Sequence, residues 1–329
     1  MTSERLGIIG TGRIARRFVK DVSGLGGITI NVIYNPHIES AFKFVEEFEN
    51  LTVACDLKDL MNQCDSIYIA SPHETHFAYI KAAIEADKNV ICEKPLVLSL
   101  WEAENILQLA KMKKKYVLEA IKTKYCPGYR KLLEIVNKNI IGEIKDVEAC
   151  FTKLEKKGTR ELTNEKYGGS FRELGSYCLL PIYDLFGANY RNIHYFCIDN
   201  DMGIDVYSKL MFDYGHKCAT VKVGLGVKSE GQLIISGTKG YILVKSPWWK
   251  TTHFEIHFED PKDVRVFDIP YEGEGLKYEV STFLERIKES KDIAEEDEGI
   301  LFMAKVMEDF ANYRNEKNTS EICDIFDEE

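Results

Sequence analysis

The chain has 329 residues, of which 45% are hydrophobic and 29% are charged, and its formal net charge is -10. At about 150 residues per domain, this length predicts two globular domains with separate cores. An acidic surface argues against nucleic acid or an anionic membrane as a partner, so the composition favours a small molecule.

The nine cysteines are scattered along the chain, and no pair is spaced as CxxC. This pattern matches neither a disulfide framework nor a zinc site, and we expect no metal. No apolar stretch approaches the ~20 residues that span a bilayer, and the N-terminus lacks the charged and apolar regions of a signal peptide. We therefore expect a cytoplasmic protein whose cysteines are mostly small core residues.

Strand-like apolar runs alternate with helix-like segments through the first third of the chain. The predicted strands are 6–9, 28–34, 51–54, 66–70 and 89–92, and the predicted helices include 38–49, 76–86 and 100–113. This alternation predicts a doubly wound α/β domain with parallel strands, whose ligands bind beyond the carboxyl ends of the strands. Gly10, Asn35, Ser71 and Lys94 all lie at or just beyond such ends.

A glycine-rich turn, Gly10-Thr11-Gly12-Arg13-Ile14-Ala15, stands between the first predicted strand and a helical segment. Gly10 allows a tight turn, Gly12 lets the backbone approach a pyrophosphate, and Ala15 lets the helix pack closely on the strand. The helix N-terminus would supply N–H groups and a partial positive charge to the phosphates. The turn therefore predicts a dinucleotide site, although glycine pairs at strand ends also serve as plain turns.

A second motif, Glu93-Lys94-Pro95, follows the glycine turn by roughly eighty residues and ends another predicted strand. Together the two motifs predict a nicotinamide enzyme, with Glu93 beside the cofactor and Lys94 at its reacting end. The alternative for Lys94 is a surface lysine that follows a strand.

The end of the second predicted strand carries Asn35 and Pro36, at a place where an acidic residue would select NAD and an arginine would select NADP. Asparagine can hydrogen-bond ribose hydroxyls without repelling a 2′-phosphate, and Pro36 supplies no cation to attract one. The sequence therefore favours NAD, while Arg13 and His37 leave NADP open.

The pattern changes after about residue 125, where several short strands follow one another. The predicted strands are 142–151, 193–197, 205–213, 217–225, 232–236 and 252–258, and the predicted helices are 176–186, 278–288 and 296–314. Glycine turns between the strands predict a large, mostly antiparallel sheet in an α+β domain. We therefore place a dinucleotide-binding domain at 1–124 and a domain for substrate binding and oligomerisation at 125–329.

Several dispersed motifs resemble, in order along the chain, those of the glucose–fructose oxidoreductase, inositol dehydrogenase and MocA (Gfo/Idh/MocA) superfamily. They are the segments 7–15, 65–76, 90–96, 119–127, 168–178, 236–240 and 246–249. The resemblance runs nearly end to end, and the pattern around Tyr177 and Trp248 is most similar to the branch that contains dimeric dihydrodiol dehydrogenase. It implies a Rossmann domain followed by a sheet domain, with NAD or NADP as the cofactor.

The resemblance implies hydride transfer between the nicotinamide C4 and a hydroxyl or carbonyl carbon of a polyol, sugar or related small molecule. Lys94 matches the family lysine, whose cation would hold the nicotinamide ribose or a substrate oxygen and lower the pKa of a nearby phenol. Tyr177 stands where family members exchange a proton with the substrate oxygen, and a free phenol, which titrates near pH ~10, needs such a cation. A buried core tyrosine is the alternative for Tyr177.

Five other positions take a role from the same resemblance. Ser71 and Pro72 would line the adenosine or pyrophosphate side, and His76 would lie near the cofactor, with a structural role on its helix as the alternative. Glu173 replaces a family aspartate, so its longer side chain puts its role in orienting the substrate in question. Lys124 replaces a family arginine at the cofactor site, which keeps the charge but loses the bidentate fork.

Trp248 and Trp249 offer either a sugar-stacking face or an oligomer contact, and we favour the contact, because a sheet exposed on one side invites pairing. We expect a homodimer through the C-terminal sheet. Retention of both Lys94 and Tyr177 favours an enzyme over a catalytically silent sensor or regulatory subunit that binds cofactor and sugar. Oxidoreductive rearrangement or glycoside cleavage is a third option, and the sequence leaves the substrate and the direction of reaction open.

Overall fold

The computed structural model describes residues 3–48, 50–289 and 294–327. The chain forms two compact units. The first contains the chain up to Val97, Trp101–Arg130 and Pro270–Ile300, and the second contains Leu98–Leu100, Lys131–Ile269 and the chain from Leu301. The sequence pattern does not predict the return of the chain to the first unit, and the division at 124 and 125 remains a proposal.

Strands and helices alternate through the first unit, whereas strands dominate the second. The strands are β1 Glu4–Ile9, β2 Ile28–Tyr34, β3 Thr52–Val53, β4 Ser66–Ile69, β5 Asn89–Glu93, β6 Val117–Ala120, β7 Ile144–Thr152, β8 Asn192–Asp199, β9 Asp205–Asp213, β10 Cys218–Gly224, β11 Leu233–Gly237, β12 Gly240–Val244, β13 His253–Phe258 and β14 Val264–Asp268. The helices are α1 Arg13–Val22, α2 Ile38–Val45, α3 Leu57–Gln63, α4 His76–Glu85, α5 Leu100–Lys113, α6 Lys122–Tyr125, α7 Pro127–Asn137, α8 Arg160–Thr163, α9 Ser170–Phe186, α10 Leu276–Glu289 and α11 Ala294–Asp327.

The first unit is a doubly wound parallel sheet, as predicted. Its six strands lie in the order β3-β2-β1-β4-β5-β6, and every neighbouring pair runs parallel. The direction in which strands are added reverses between β1 and β4, which opens a crevice at the carboxyl edge of the sheet. That edge is where this topology binds its ligands.

Both faces of this sheet are covered, which explains why its strands are almost entirely apolar. All residues of β4 and β6 are buried. On one face Phe18 of α1 stacks on Tyr68 of β4 with ring centroids 3.6 Å apart, and Val280 and Phe283 of α10 belong to the same core cluster. Asp21 of α1 also accepts hydrogen bonds from the first backbone N–H groups of α10. The returning helix α10 is thus part of the core of the first unit.

The predicted elements of the first unit are present, with some differences at their ends. Helix α2 ends at Val45, before the predicted end at Glu49, a residue outside the described part of the chain. Helix α3 and strand β6 are not predicted, because each is short. Asp56 starts α3 by accepting a hydrogen bond from the backbone N–H of Asp59 at 2.7 Å, which is the usual way in which aspartate caps a helix.

The second unit contains an eight-stranded sheet in the order β14-β13-β12-β11-β7-β10-β9-β8. Its pairs are antiparallel except for β7 and β10, so the predicted, mostly antiparallel α+β domain is confirmed. Strands β12 and β14 are not predicted. Helix α9 packs on β7, β9 and β10, and it begins at Ser170 rather than at the predicted residue 176.

Alternating burial in this sheet separates a core face from an open face. In β9, Ser208, Leu210 and Phe212 are buried, whereas Lys209 and Met211 are exposed. No helix among the described residues has the length and apolar character that crossing a membrane requires.

Candidate functional site

The glycine turn after β1 has a backbone that only glycine can adopt at its first position. Gly10 has a φ of 106°, and a Cβ there would lie 2.5 Å from the carbonyl oxygen of Ala70. Its N–H donates to the carbonyl oxygen of Tyr34 at 2.9 Å. The turn is therefore fixed between the ends of β2 and β4, where the direction of strand addition reverses.

Gly12 has a different reason to be glycine. It is the N-cap of α1, and a Cβ built there would meet no atom within 4 Å. Packing of the described residues does not demand glycine at this point, but its absent side chain leaves the backbone open to approach. The first turn of α1 carries no acidic residue and no side-chain cap from the described residues. Its N–H groups and positive dipole end fit an anion such as the pyrophosphate of a dinucleotide.

Asn35, at the end of β2, is tied to the glycine turn. Its Nδ2 donates to Oγ1 of Thr11 at 2.7 Å, and its Oδ1 accepts from the backbone N–H of His37 at 2.8 Å. Arg16 donates to the carbonyl oxygen of Thr11 at 2.7 Å. Arg13 is exposed on the first turn of α1. The turn and the end of β2 thus form one connected group of polar atoms.

His76, at the start of α4, is 1% exposed and lies between two strand ends. Its Nδ1 lies 2.9 Å from the carbonyl oxygen of Pro95, and its Nε2 lies 3.0 Å from that of Ser71. Burial lowers the pKa of His76, although both carbonyl groups favour its protonated form. Ser71 shares a 2.7 Å hydrogen bond with Thr75, which follows Pro72. His76 therefore links the backbone after β4 to the backbone after β5.

Lys94 directly follows β5 and is half-buried. The residue before it, Glu93, accepts a 2.7 Å hydrogen bond from the phenol of Tyr68. Burial raises the pKa of Glu93, and the cations of Lys94 and Lys122 oppose that rise. The peptide bond from Lys94 to Pro95 is cis. Lys94 thus lies at the carboxyl edge of the parallel sheet, on the same edge as Gly10.

Lys124 lies on α6, shortly after β6, and is half-buried. Its charge lowers the pKa of Glu119, which burial raises to about 7. The backbone N–H of Lys124 donates to the carbonyl oxygen of Ile121. The first unit therefore brings the predicted cofactor residues of five successive chain segments to one edge of its sheet.

Glu173 and Tyr177 belong to the second unit, where both lie on α9 and both are half-buried. Their spacing of four residues puts them on one side of the helix. The Tyr177 ring lies 5.2 Å from that of Phe151, which stacks on Trp249 at 3.6 Å. Tyr177 is therefore neither an exposed tyrosine nor a fully buried one.

Asp205 anchors the start of α9. It is 5% exposed, and its Oδ2 accepts from the backbone N–H of Phe171 at 2.9 Å and from the hydroxyl of Ser208 at 2.7 Å. Burial raises the pKa of Asp205 to about 6, and these hydrogen bonds oppose the rise. This role is not predictable from the sequence, because Asp205 begins a strand far from α9 along the chain.

The structure corrects the prediction for Trp248. This side chain is fully buried, and its indole N–H donates to the carbonyl oxygen of Cys150 at 2.8 Å. It therefore offers no face to a sugar or to another chain. Aromatic side chains favour interfaces only when they are exposed, and the Ser246-Pro247 turn directs Trp248 into the core of the second unit.

Two buried glutamates of the first unit were not assigned a role from sequence. Glu119 accepts a 3.0 Å hydrogen bond from the backbone N–H of Leu96. Glu279 on α10 is fully buried, and neither of its carboxyl oxygens has a hydrogen-bond partner among the described residues. Glu119 lies in β6, a strand too short to be predicted, and Glu279 lies in an ordinary amphipathic pattern. Within the described chain, no three acidic, cysteine or histidine side chains form a group suited to a metal ion.

The crevice at the strand reversal, the glycine turn and the open helix N-terminus define a dinucleotide-binding oxidoreductase fold. Residues 4–120 match the model of the oxidoreductase family with an NAD-binding Rossmann fold, and residues 129–243 match the GFO/IDH/MocA C-terminal domain. The chain belongs to the GFO/IDH/MocA family of oxidoreductases.

Curated relatives match along most of their length. Trans-1,2-dihydrobenzene-1,2-diol dehydrogenase of Xenopus tropicalis is 25% identical over 302 residues, which are 86% of this chain and 90% of that protein. The NADP(+) scyllo-inositol 2-dehydrogenase of Bacillus subtilis (strain 168) is 26% identical over 317 residues, which are 93% of this chain and 95% of that protein. These similarities agree with the family named from the sequence motifs.

Solved structures show the same fold at lower identity. A 3-ketoreductase from Actinomadura kijaniata, in complex with NADP and TDP-benzene, superposes with a TM-score of 0.82 at 20% identity, covering 93% of this chain and 96% of that one. A UDP-N-acetylglucosamine 3-dehydrogenase from Acidithiobacillus ferrooxidans gives a TM-score of 0.79 at 18% identity, covering 92% and 95%. Both superpositions span nearly the whole of each chain.

Proposed function

We propose that this oxidoreductase transfers a hydride between NAD or NADP and a hydroxyl or carbonyl carbon of a polyol, a sugar or a related small molecule. The observation that carries the proposal is the carboxyl edge of the parallel sheet, where the Gly10 turn, the open N-terminus of α1 and Lys94 occur together. A plain turn has no need for the open backbone at Gly12.

Each proposed residue has one task. The turn from Gly10 to Ile14 holds the pyrophosphate through backbone N–H groups, and Ser71 and Pro72 line the adenosine or pyrophosphate side. The bound nicotinamide supplies the carbon that accepts or gives the hydride. Lys94 fixes the ribose or the substrate oxygen with its cation.

Tyr177 is proposed as the group that exchanges a proton with the substrate oxygen, in partnership with the cation of Lys94. A phenol suits this task because it can both donate and accept a proton at one oxygen. Glu173, on the same side of α9, is proposed to orient the substrate. Its retained carboxylate can still accept a hydrogen bond from a sugar hydroxyl.

The names of the relatives support a hydroxylated substrate. They describe enzymes that act on a cyclic diol, an inositol and a nucleotide-linked sugar. Each of these substrates carries a ring carbon that can pass between alcohol and ketone. We therefore propose a secondary alcohol on a ring, or the matching ketone, as the reacting group.

We propose that the residues at the end of β2 determine the preference for NAD or NADP. Pro36 provides no cation, which favours NAD, whereas two of the relatives are named with NADP. Asn35 is engaged with Thr11 and His37, and the exposed Arg13 and His37 could serve a 2′-phosphate. We therefore propose that either NAD or NADP binds, with the end of β2 favouring NAD, and that their relative affinity decides the physiological cofactor.

We also propose a homodimer formed through the open face of the eight-stranded sheet. Phe196 and Ile198 of β8 and Met211 of β9 are exposed on it, and exposed apolar side chains on a sheet favour pairing with another copy. A cytoplasmic location is proposed as well, because the described cysteines are free thiols.

The first experiment is a fluorescence titration of the purified protein with NADH and, separately, with NADPH. Turnover is then measured with a panel of inositols, cyclic diols, aldoses and their ketones. Tight binding of one cofactor with turnover of any panel member supports the proposal. Binding without turnover would favour a silent sensor, and the absence of any binding would contradict the dinucleotide site.

A further inference from the structure

The segment Lys94-Pro95-Leu96 is held from three sides. Glu93, just before it, accepts a hydrogen bond from Tyr68 on β4 at 2.7 Å. The carbonyl group of Pro95 lies 2.9 Å from Nδ1 of His76 on α4. The backbone N–H of Leu96 donates to Oε1 of Glu119 on β6 at 3.0 Å. Each contact ties this segment to a different element.

Glu119 is the only one of these three partners that places a carboxylate on the segment. It lies in β6 opposite Cys92 of β5, and it is 8% exposed. Its carbonyl oxygen also accepts hydrogen bonds from the N–H of Ile121 at 2.9 Å and from the hydroxyl of Tyr125 at 3.2 Å. The backbone of Glu119 is therefore fixed, and its side chain cannot turn away from Leu96 without losing that contact.

An uncharged glutamine could accept the same hydrogen bond, so the charge of Glu119 needs a separate explanation. Three charged groups face it, namely Lys94 and Glu93 at the end of β5 and Lys124 on α6. Burial raises the pKa of Glu119 to about 7, Glu93 adds to that rise, and the two lysines and the N–H of Leu96 oppose it. Glu119 therefore changes charge close to neutral pH, within electrostatic range of Lys94.

We propose that Glu119 is a positioning residue for Lys94. It fixes the backbone two residues after Lys94, and its carboxylate sets the electrostatic surroundings of the Lys94 ammonium. The catalytic importance of this arrangement rests on the proposed function. The electrostatic interaction between Glu119 and Lys94 is independent of the proposed function.

The link is tested by nuclear magnetic resonance, which needs no substrate. Lysines are labelled by reductive ¹³C-methylation, and the Lys94 signal is identified by its loss in Lys94→Arg. In the wild-type protein this signal should change with an inflection near pH 7, and in Glu119→Gln the inflection should vanish. Glu279→Gln is the control, because it replaces another fully buried glutamate of the same unit with its amide. Burial raises the pKa of Glu279 well above its usual value, so this change should keep the inflection.

Two outcomes would overturn the proposal. One is a wild-type Lys94 signal without an inflection near pH 7, which decides the matter even if Glu119→Gln does not fold. The other is an inflection that survives in a folded Glu119→Gln protein, with folding checked by its thermal transition. The loss of the inflection in the Glu279→Gln control would also count against Glu119 as its source.

Turnover provides a second readout once a substrate is known. Glu119→Gln should lower kcat about tenfold with little change in KM, and Glu119→Ala, which also releases Leu96, should lower it about a hundredfold. The acidic limb of the kcat profile near pH 7 should disappear in Glu119→Gln. Absence of turnover in the wild-type protein, with the resonance result intact, would reject the proposed function and leave the Glu119 inference standing.

Discussion

The two sheets differ in which of their faces are covered and in where their polar side chains lie. In the six-stranded sheet both faces are covered, and the polar side chains of interest collect at the carboxyl ends of the strands. In the eight-stranded sheet α9 covers a core face, whereas residues such as Lys209 and Met211 remain exposed on the other. A parallel sheet thus collects its ligand-binding positions at an edge, whereas this second sheet leaves residues along one face exposed.

The largest effect is expected at the glycine turn. Gly10→Ala should abolish dinucleotide binding and lower the free energy of unfolding by about 3 kcal/mol, because φ is 106° and the new Cβ would lie 2.5 Å from a carbonyl oxygen. Gly12→Ala should leave stability almost unchanged but weaken cofactor binding at least tenfold, by roughly 1.4 kcal/mol or more. Urea unfolding and fluorescence titration measure the two effects.

Gly26→Ala is the control for both glycine variants, because a Cβ there also meets no atom within 4 Å and no positive φ is required. It should affect neither stability nor cofactor affinity by a comparable amount. Unchanged affinity in Gly12→Ala would show that the turn is not used by a dinucleotide.

The next largest effect is expected on turnover, from one substitution in each unit. Lys94→Ala and Tyr177→Phe should each lower kcat by roughly a hundredfold or more, because one removes a cation and the other a proton carrier. Cofactor binding should survive in Tyr177→Phe, since the phosphate cradle lies in the first unit. Steady-state kinetics on the panel substrate measure the loss.

Two exposed residues give the controls for this pair. Lys81→Ala removes a half-exposed lysine on α4, and Tyr241→Phe removes a phenol from the open face of β12. Both should retain turnover close to wild type. Near-normal turnover in Lys94→Ala or Tyr177→Phe would remove that residue from the proposed mechanism.

A residue's structural role can be predicted from the sequence when a local backbone geometry allows only one residue type. Gly10 is readable because a tight turn directly after a strand requires glycine, and the parallel sheet follows from alternating elements. Asp205 and Glu119 are not readable, because each acts on a backbone N–H that is distant in sequence. Trp248 shows the converse, since an aromatic pair looks the same in a core and at an interface until burial is known.

A smaller effect is expected at the anchor of α9. Asp205→Ala leaves the buried donors of Phe171 and Ser208 without their acceptor, so the free energy of unfolding should fall by about 2 kcal/mol. Cofactor affinity should stay within about twofold of wild type, because α9 belongs to the second unit. Asp201→Ala, at an exposed turn, is the matched control. A loss of cofactor affinity equal to the loss of turnover would contradict this division.

The smallest effect on folding is expected on the open face. Phe196→Asp should change the stability of the monomer by no more than about 0.5 kcal/mol, because the side chain is 58% exposed. It should nevertheless shift a dimer to a monomer in light scattering at equal concentration. Met112→Asp, at a 69% exposed position of α5, should not change the assembly. A wild-type protein that is already monomeric would end the proposed use of this face.

The return of the chain at Pro270–Ile300 has a consequence for synthesis on the ribosome. Val280 and Phe283 of α10 complete a core cluster that also contains Phe18 of α1. The carboxylate of Asp21 accepts a hydrogen bond from the first backbone N–H of α10. The core of the first unit therefore cannot be completed until α10 has been synthesised, so apolar side chains such as Phe18 stay exposed while all the strands of the second sheet are translated. Swapping this unit between related enzymes would require three splice points rather than one, because its returning segment Pro270–Ile300 is flanked on both sides by the second unit.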